Sequence, residues 1–218
     1  MLASAGSDAT LRLWDPRSGQ LLRTLLGHQG TVRSCAFSAD GTMLASAGSD
    51  ATLRLWDPRS GQALRTLHGH QGTVRSCAFS ADGTMLASAG DDGTLRLWDP
   101  RSGQALRTLQ DHKGYVMSCA FSTDGTMLAS TGEDGTLRLW APRSGQALRV
   151  TAISPTGHAT WSPTDGRVIE ADGDAWRWLA WLTHDAEGRP TRLPLEYFGA
   201  VPQPQRLQRP QQGSAPAQ

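Results

Sequence analysis

A cleft that performs acid–base chemistry needs carboxylates and imidazoles held at one unique place, outside any repeating pattern. One stretch of this chain gathers them: His158, Asp165, Glu170, Asp172 and Asp174. Upstream, the chemistry-bearing side chains fall in columns instead. His28, His70 and His112 are spaced by 42 residues, and so are Cys35, Cys77 and Cys119. Arginine repeats at 12/54/96/138, 17/59/101/143 and 23/65/107/149, columns that could form a ladder for phosphates. Asp15, Asp40, Asp57, Asp82, Asp99 and Asp124 balance them, so the columns read better as a solvated rim. The chain has no G-x-x-x-x-G-K-[ST] loop and no metal-ligand spacing. A catalytic group is not normally repeated identically three times, so the sequence predicts a protein that is not an enzyme, with no catalytic residues, cofactor or metal.

The elements that position these columns follow from the period. Trp14, Trp56, Trp98 and Trp140 are also 42 residues apart, and the stretch at 27–68 returns at 69–110 with very few changes. Within a unit the signals are all β. "TVRSCAFS" (31–38), "MLASA" (43–47), "TLRLW" (52–56) and "ALRTL" (63–67) are short runs bounded by "ADGT" (39–42), "GSDA" (48–51) and "DPRSGQ" (57–62). These supply the Asp, Gly, Pro and Ser that turns require, and they arrive too often for a stable amphipathic helix.

Bulk properties narrow the class. Net charge is +1 and 38% of residues are hydrophobic, which argues for neither nucleic acid nor membrane as a partner. Of 21 basic residues only Lys113 is lysine, a bias read as genome composition. No apolar run reaches the roughly 20 residues of a membrane span. "MLASAGSD" carries no positive charge and no apolar core of a signal peptide. The cysteines occupy equivalent positions of successive units, so reduced, buried thiols and a cytoplasmic chain are expected.

The dipeptides "GH" at 27–28 and 69–70 and "WD" at 14–15, 56–57 and 98–99, with four short strands per unit, resemble the WD-repeat β-propeller family. The resemblance covers about residues 1–181. The third full unit departs from it, with "DH" at 111–112 and "WA" at 140–141. The resemblance implies an all-β propeller and a hydrogen-bonded set in each blade. Those sets are His28, Ser46, Asp50 and Trp56; His70, Ser88, Asp92 and Trp98; and His112, Ser130, Asp134 and Trp140. The first partial unit matches with Ser4, Asp8 and Trp14. A His–Asp–Ser grouping is also the constellation of acyl transfer. Threefold repetition, and the partners a buried Asp and His need against desolvation, assign these residues to holding the blade together.

Strands b, c and d of a first blade fall at 2–25, and full blades at 31–67, 73–109 and 115–150, so residues 1–150 hold near-identical repeats. Residues 151–200 read as a degenerate terminal blade in which "ATWSPTDGR" echoes "CAFSADGT". Trp161, Trp176, Trp178 and Trp181 would pack it. "RPTRLPLEYFGAVP" (189–202) resembles the ending of WD-repeat regions in large bacterial multidomain proteins, and the Pro/Gln-rich residues 201–218 should be disordered. The total is about four and three-quarter blades, fewer than such rings usually have. Met1 aligns with Met43, Met85 and Met127 inside a unit, so a C-terminal fragment of a longer propeller is expected, with further blades from the same or another chain closing the ring.

Differences between copies point to a binding face. Over 18–59, 60–101 and 102–143 the copies differ at eleven positions, eight of them in the d–a loop, the start of strand a, and the end of strand b with its following turn. In the family these emerge on one face that commonly contacts partners. Here it would present Thr31, Arg33, Ser49, Thr73, Arg75, Asp91, Lys113, Tyr115, Met117 and Glu133. Arg, Tyr and Met are favoured at interfaces, whereas drift on solvated loops would leave the same pattern. The function expected is a protein-interaction scaffold or sensor in a larger bacterial signalling or defence protein. By resemblance, such proteins carry a nucleotide-binding switch or protease-like effector upstream. The alternative is a self-assembling, lectin-like propeller that binds ligands multivalently.

Overall fold

The computed structural model describes residues 1–154, 157–171, 180–184 and 190–194, and among them there are strands and turns but no helix. The first sheet holds β1 (Leu2–Ala5), β2 (Thr10–Trp14) and β3 (Leu21–Leu26). The second holds β4 (Val32–Phe37), β5 (Leu44–Gly48), β6 (Leu53–Trp56) and β7 (Ala63–Leu67). The third repeats it with β8 (Val74–Phe79), β9 (Leu86–Gly90), β10 (Thr94–Trp98) and β11 (Ala105–Gln110). Each is an antiparallel meander in chain order, as short loops between sequential strands require.

The fourth sheet starts the same way, with β12 (Val116–Phe121), β13 (Leu128–Gly132) and β14 (Thr136–Ala141), but then departs. β15 runs from Gln146 to Ser154, and β16 (Gly157–Trp161) and β17 (Val168–Ala171) pair on beyond it to make six strands. The described part of the stretch expected as a terminal blade thus lengthens this sheet rather than opening a new one. The d–a loop that follows strand d in the other units, "HGHQG" at 68–72 for example, has no counterpart after residue 150, and the strand continues to Ser154. A further pair, β18 (Ala180–His184) and β19 (Pro190–Pro194), is antiparallel. Asp172, Asp174, Trp176, Trp178 and the tail expected to be disordered lie outside the described residues.

Turn chemistry explains why each strand stops where it does. The Asp40 carboxylate accepts from the Ser38 hydroxyl (2.6 Å) and the Thr42 amide (3.0 Å), while Gly41 supplies φ 66°. Those bonds hold Asp40 down at a pKa of about 2, as they do for Asp82 and Asp124 in the next copies. Asp57 folds the c–d turn, accepting from the Arg59 amide at 2.8 Å and the Ser60 hydroxyl at 2.6 Å.

Three cores lie between consecutive sheets. In one, Ala45, Ala47, Leu53, Leu55 and Leu67 of one sheet meet Val74, Cys77, Leu86 and Trp98 of the next. The same pairing recurs one unit on, and a smaller version joins the first sheet to the second. Inner strands also bond across: the amides of Cys77 and Cys119 donate to Ser34 and Ser76 Oγ at 3.3 Å. The thiols are free, and burial pushes the Cys77 pKa well up and that of Cys119 up to about 12, so neither is a thiolate at neutral pH. The described sheets stack as an open arc; the ring is not closed.

Candidate functional site

The three histidines, three serines, three aspartates and three tryptophans meet as sets. His28 Nδ1 lies 3.0 Å from Asp50 Oδ2, and its Nε2 lies 2.7 Å from Ser46 Oγ. Trp56 Nε1 donates to the same Ser46 oxygen at 2.9 Å. The corresponding distances are 2.9, 2.7 and 2.9 Å around His70, and 3.0, 2.8 and 2.9 Å around His112. The sets join strand b, strand c, the turn between them and the loop before strand a.

Donor and acceptor inventory fixes the proton positions. Indole Nε1 can only donate and a carboxylate can only accept, so Ser46 accepts from Trp56 and His28 Nδ1–H donates to Asp50. Ser46 O–H then donates to a neutral Nε2. Every group is satisfied, and the chain of bonds runs in one direction. Burial lowers the His28 and His70 pKa values more than Asp50 and Asp92 raise them, keeping both imidazoles neutral. Burial works to raise the Asp50 carboxyl, but the Gln29 amide, the Thr52 hydroxyl and His28 together bring it below its ordinary value.

This resembles a hydrolase triad only in composition. Ser46 and Ser88 are fully buried, and their oxygens already accept from tryptophan, so no carbonyl carbon can approach. The first sheet retains only one of these bonds, Trp14 Nε1 to Ser4 Oγ at 2.9 Å, while Asp8 turns to Arg12. Elsewhere, His158 Nε2 lies 3.8 Å from Glu170, and Asp165 accepts from the Arg167 amide within a turn. Among the described residues no group of His, Cys, Asp or Glu is placed to hold a metal, and no helix is long and apolar enough to cross a membrane.

The other face residues also have definite places. Backbone bonds of 2.9 Å run from the amides of Ser49, Asp91 and Glu133 to the carbonyls of Thr31, Thr73 and Tyr115, tying each b–c turn to the start of strand a. In the third sheet Arg75 pairs with Asp91, and its guanidinium lies over the Tyr115 ring of the next sheet, 5.3 Å from the centroid. Arg33, Lys113, Tyr115, Met117 and Glu133 are exposed.

Two features escape the sequence reading. Thr52, Thr94 and Thr136 hydroxyls donate to the network aspartates at 2.8, 2.8 and 2.7 Å, a pattern legible in the Asp-x-Thr spacing. The arginine columns are also not all solvated rim. Those at 17/59/101/143 and 23/65/107/149 are exposed, but Arg138 is buried and Arg54 and Arg96 are half-buried. The strand-c register places Arg54 opposite Ser46, on the network's face of the sheet.

Meandering antiparallel sheets stacked face to face, two of them four-stranded and three locked by a Trp–Ser–His–Asp chain, define a class of repeat protein, the β-propeller blade array. The family model for the WD domain, G-beta repeat, matches residues 19–57, 61–99 and 103–141, and the chain belongs to this WD-repeat family. Human WD repeat and SOCS box-containing protein 1 is 50% identical over 44 residues, 20% of this chain and 10% of that protein. Human F-box-like/WD repeat-containing protein TBL1Y is 56% identical over 41 residues, 19% of this chain and 8% of its own. Nuclear distribution protein PAC1 of Mycosarcoma maydis is 50% identical over 40 residues, 18% and 9%. The matched stretch thus spans a tenth or less of each of these relatives.

Proposed function

We propose that this chain is a non-enzymatic protein-interaction module whose partner meets the face formed by the starts of β4, β8 and β12 and the neighbouring b–c turns. The observation that carries the reading is the Arg75–Asp91–Tyr115 group. It joins two sheets on a face that exposes Tyr115 and Met117 by 43% and 45%, above a scaffold that is nearly the same in every copy. The burial of Ser46 and Ser88 supports an absence of catalysis. The finer setting we propose is cytoplasmic, as the sensor part of a larger bacterial signalling or defence protein; the resemblance at 189–202 and the inert thiols support it. Replacing Arg33, Arg75 and Tyr115 together with alanine should abolish capture of the partner while lowering Tm by no more than a few degrees, the loss of one cation–π contact and one ion pair. Undiminished capture would refute the assignment. Further in-frame repeats upstream of codon 1 would support the larger protein.

A second reading, self-assembly of copies into a multivalent, lectin-like propeller, draws on the two ends of the arc. Leu2 is 56% exposed where Leu44, Leu86 and Leu128 are fully buried. At the other end Ala129, Leu137 and Leu139 are half-buried where Ala45, Leu53 and Leu55 are fully buried. These are the two halves of one kind of core, so a second copy would join head to tail. Light scattering decides between the readings: a discrete oligomer supports assembly, and a monomer rejects it.

A further inference from the structure

Strand c of every repeat carries an arginine at one register, and the four do not share the same partners. Arg12 Nη2 bonds Asp8 Oδ2 at 2.6 Å. Arg138 pairs with Asp111 from the loop before β12, lies 3.8 Å from Asp134, and donates from Nε to Thr136 Oγ1 at 3.3 Å. Arg54 and Arg96 have no ion pair among the described residues, and the Nε of each is buried without a hydrogen-bond partner. Their own network aspartates are committed elsewhere: Asp50 accepts from His28, the Gln29 amide and Thr52, and Asp92 from His70, the Gln71 amide and Thr94.

One loop position separates Arg138 from Arg54 and Arg96. Where the fourth sheet has Asp111, the second and third have Gly27 and Gly69. A Cβ at Gly27 would meet Arg54 Nη1 at 2.8 Å and Trp56 Cη2 at 3.1 Å. At Gly69 the same atoms of Arg96 and Trp98 lie at 2.9 and 3.2 Å. Both guanidinium heads therefore rest against the loop at the point from which Asp111 extends its carboxylate in the fourth sheet. A guanidinium drawn out of water recovers its lost hydration best from a carboxylate, and at the same register Arg12 and Arg138 each pair with an aspartate.

We propose that Arg54 and Arg96 form two carboxylate-binding sockets on adjacent blades, which take acidic side chains from an extended segment of a partner protein. Asp111 is the chain's own occupant of the third socket. The inference deepens the interaction reading, from which it takes only that the partner is a protein, and it uses none of Arg33, Arg75 and Tyr115. The occupant is an acidic peptide because a carboxylate already fills the equivalent socket.

The test uses the full chain, a fluorescent hexaglutamate peptide and an oligothymidylate of equal charge, titrated by anisotropy in low salt. The peptide should bind and be released by salt. Arg54→Gln with Arg96→Gln should weaken binding by about tenfold or more, as expected when charge-assisted bonds are lost. Gly27→Asp supplies the second sheet with its own carboxylate; Gly27, unlike Gly69 with φ 157°, does not have a positive φ. That variant should also weaken binding while keeping a cooperative thermal melt, whereas Asp111→Gly, which opens the third socket, should strengthen it. Peptide affinity indifferent to Gly27→Asp and to the double arginine variant overturns the proposal, as does equal or tighter binding of the oligonucleotide. If partner capture still depends on Arg33, Arg75 and Tyr115 after such a result, the interaction reading stands and only the sockets are lost.

Discussion

Replacing Ser88 by alanine removes one hydroxyl and leaves two buried groups without partners. Trp98 Nε1–H loses its acceptor at 2.9 Å and His70 Nε2 loses its donor at 2.7 Å. Trp98 is only 2% exposed and His70 5%, so water cannot take the hydroxyl's place. Each orphaned buried group costs about 1–3 kcal/mol, so the substitution should destabilise by about 2–6 kcal/mol. For a chain of this size that is a fall of roughly 5–15 °C in Tm. The molecule supplies its own control. Ser4 accepts from Trp14 at the same 2.9 Å, but no histidine is present and the pair is partly open to solvent, so Ser4→Ala should cost about 1 kcal/mol or less. Thermal melts and urea midpoints of the two variants measure the difference. Equal effects within about 0.5 kcal/mol would refute the role assigned to the one-directional bond chain.

Ala51 has φ 62° where the next two copies place Gly93 and Gly135, so Ala51→Gly should stabilise by about 0.5–1 kcal/mol and raise Tm by about 2–3 °C; a lower Tm would contradict the strain assigned there. Acid should act in two stages. His28 and His70 are neutral in the fold, with pKa values below the 6.5 of the unfolded chain, so the unfolded state binds more protons and stability falls as pH drops below about 6.5. Asp40, Asp82 and Asp124, held at about 2 against 3.8 unfolded, and Asp50 and Asp92 then lose their contribution as pH falls from about 3.8 toward 2. A urea midpoint that is flat between pH 7 and 5 would rule out the first stage.

Much of the fold is legible because its determinants are local. "TVRSCAFS" at 31–38 contains β4, and the Asp, Gly and Ser of "ADGT" and "DPRSGQ" are the atoms that close the turns. The network is legible only through the family resemblance, because His28 and Ser46 come together through the sheet rather than through spacing alone. Two things were not legible. Past Val150 the punctuation disappears, so nothing in the residues says that β16 pairs back onto β15. "DH" at 111–112 reads as a tolerable variant of "GH"; its meaning depends on Arg138, which the fold brings next to Asp111 from strand c.

Near-identical copies also separate what a sequence determines from what its neighbours determine. The stretch LASAG is buried at all five residues both in β5 and in β9, and LASTG in β13 is only partly buried. LASA in β1 is almost wholly open. Intrinsic propensity cannot produce the contrast between β1 and β5 or β9, because their LASA residues are the same. It comes from stacking, since β5 and β9 have hydrogen-bonded strands on both sides and covered faces, whereas β1 lies at the edge of its sheet. In an array where each sheet contacts only its neighbours, stability is close to a sum of sheet and interface contributions. The first sheet has one interface core and the third has two. Opening should therefore begin at β1 and reach β9 last, with amide exchange in Leu86–Gly90 slower than in Leu2–Ala5 by orders of magnitude. Matching protection in the two stretches would mean that the array unfolds as a single unit, and that the interface cores do not set the order.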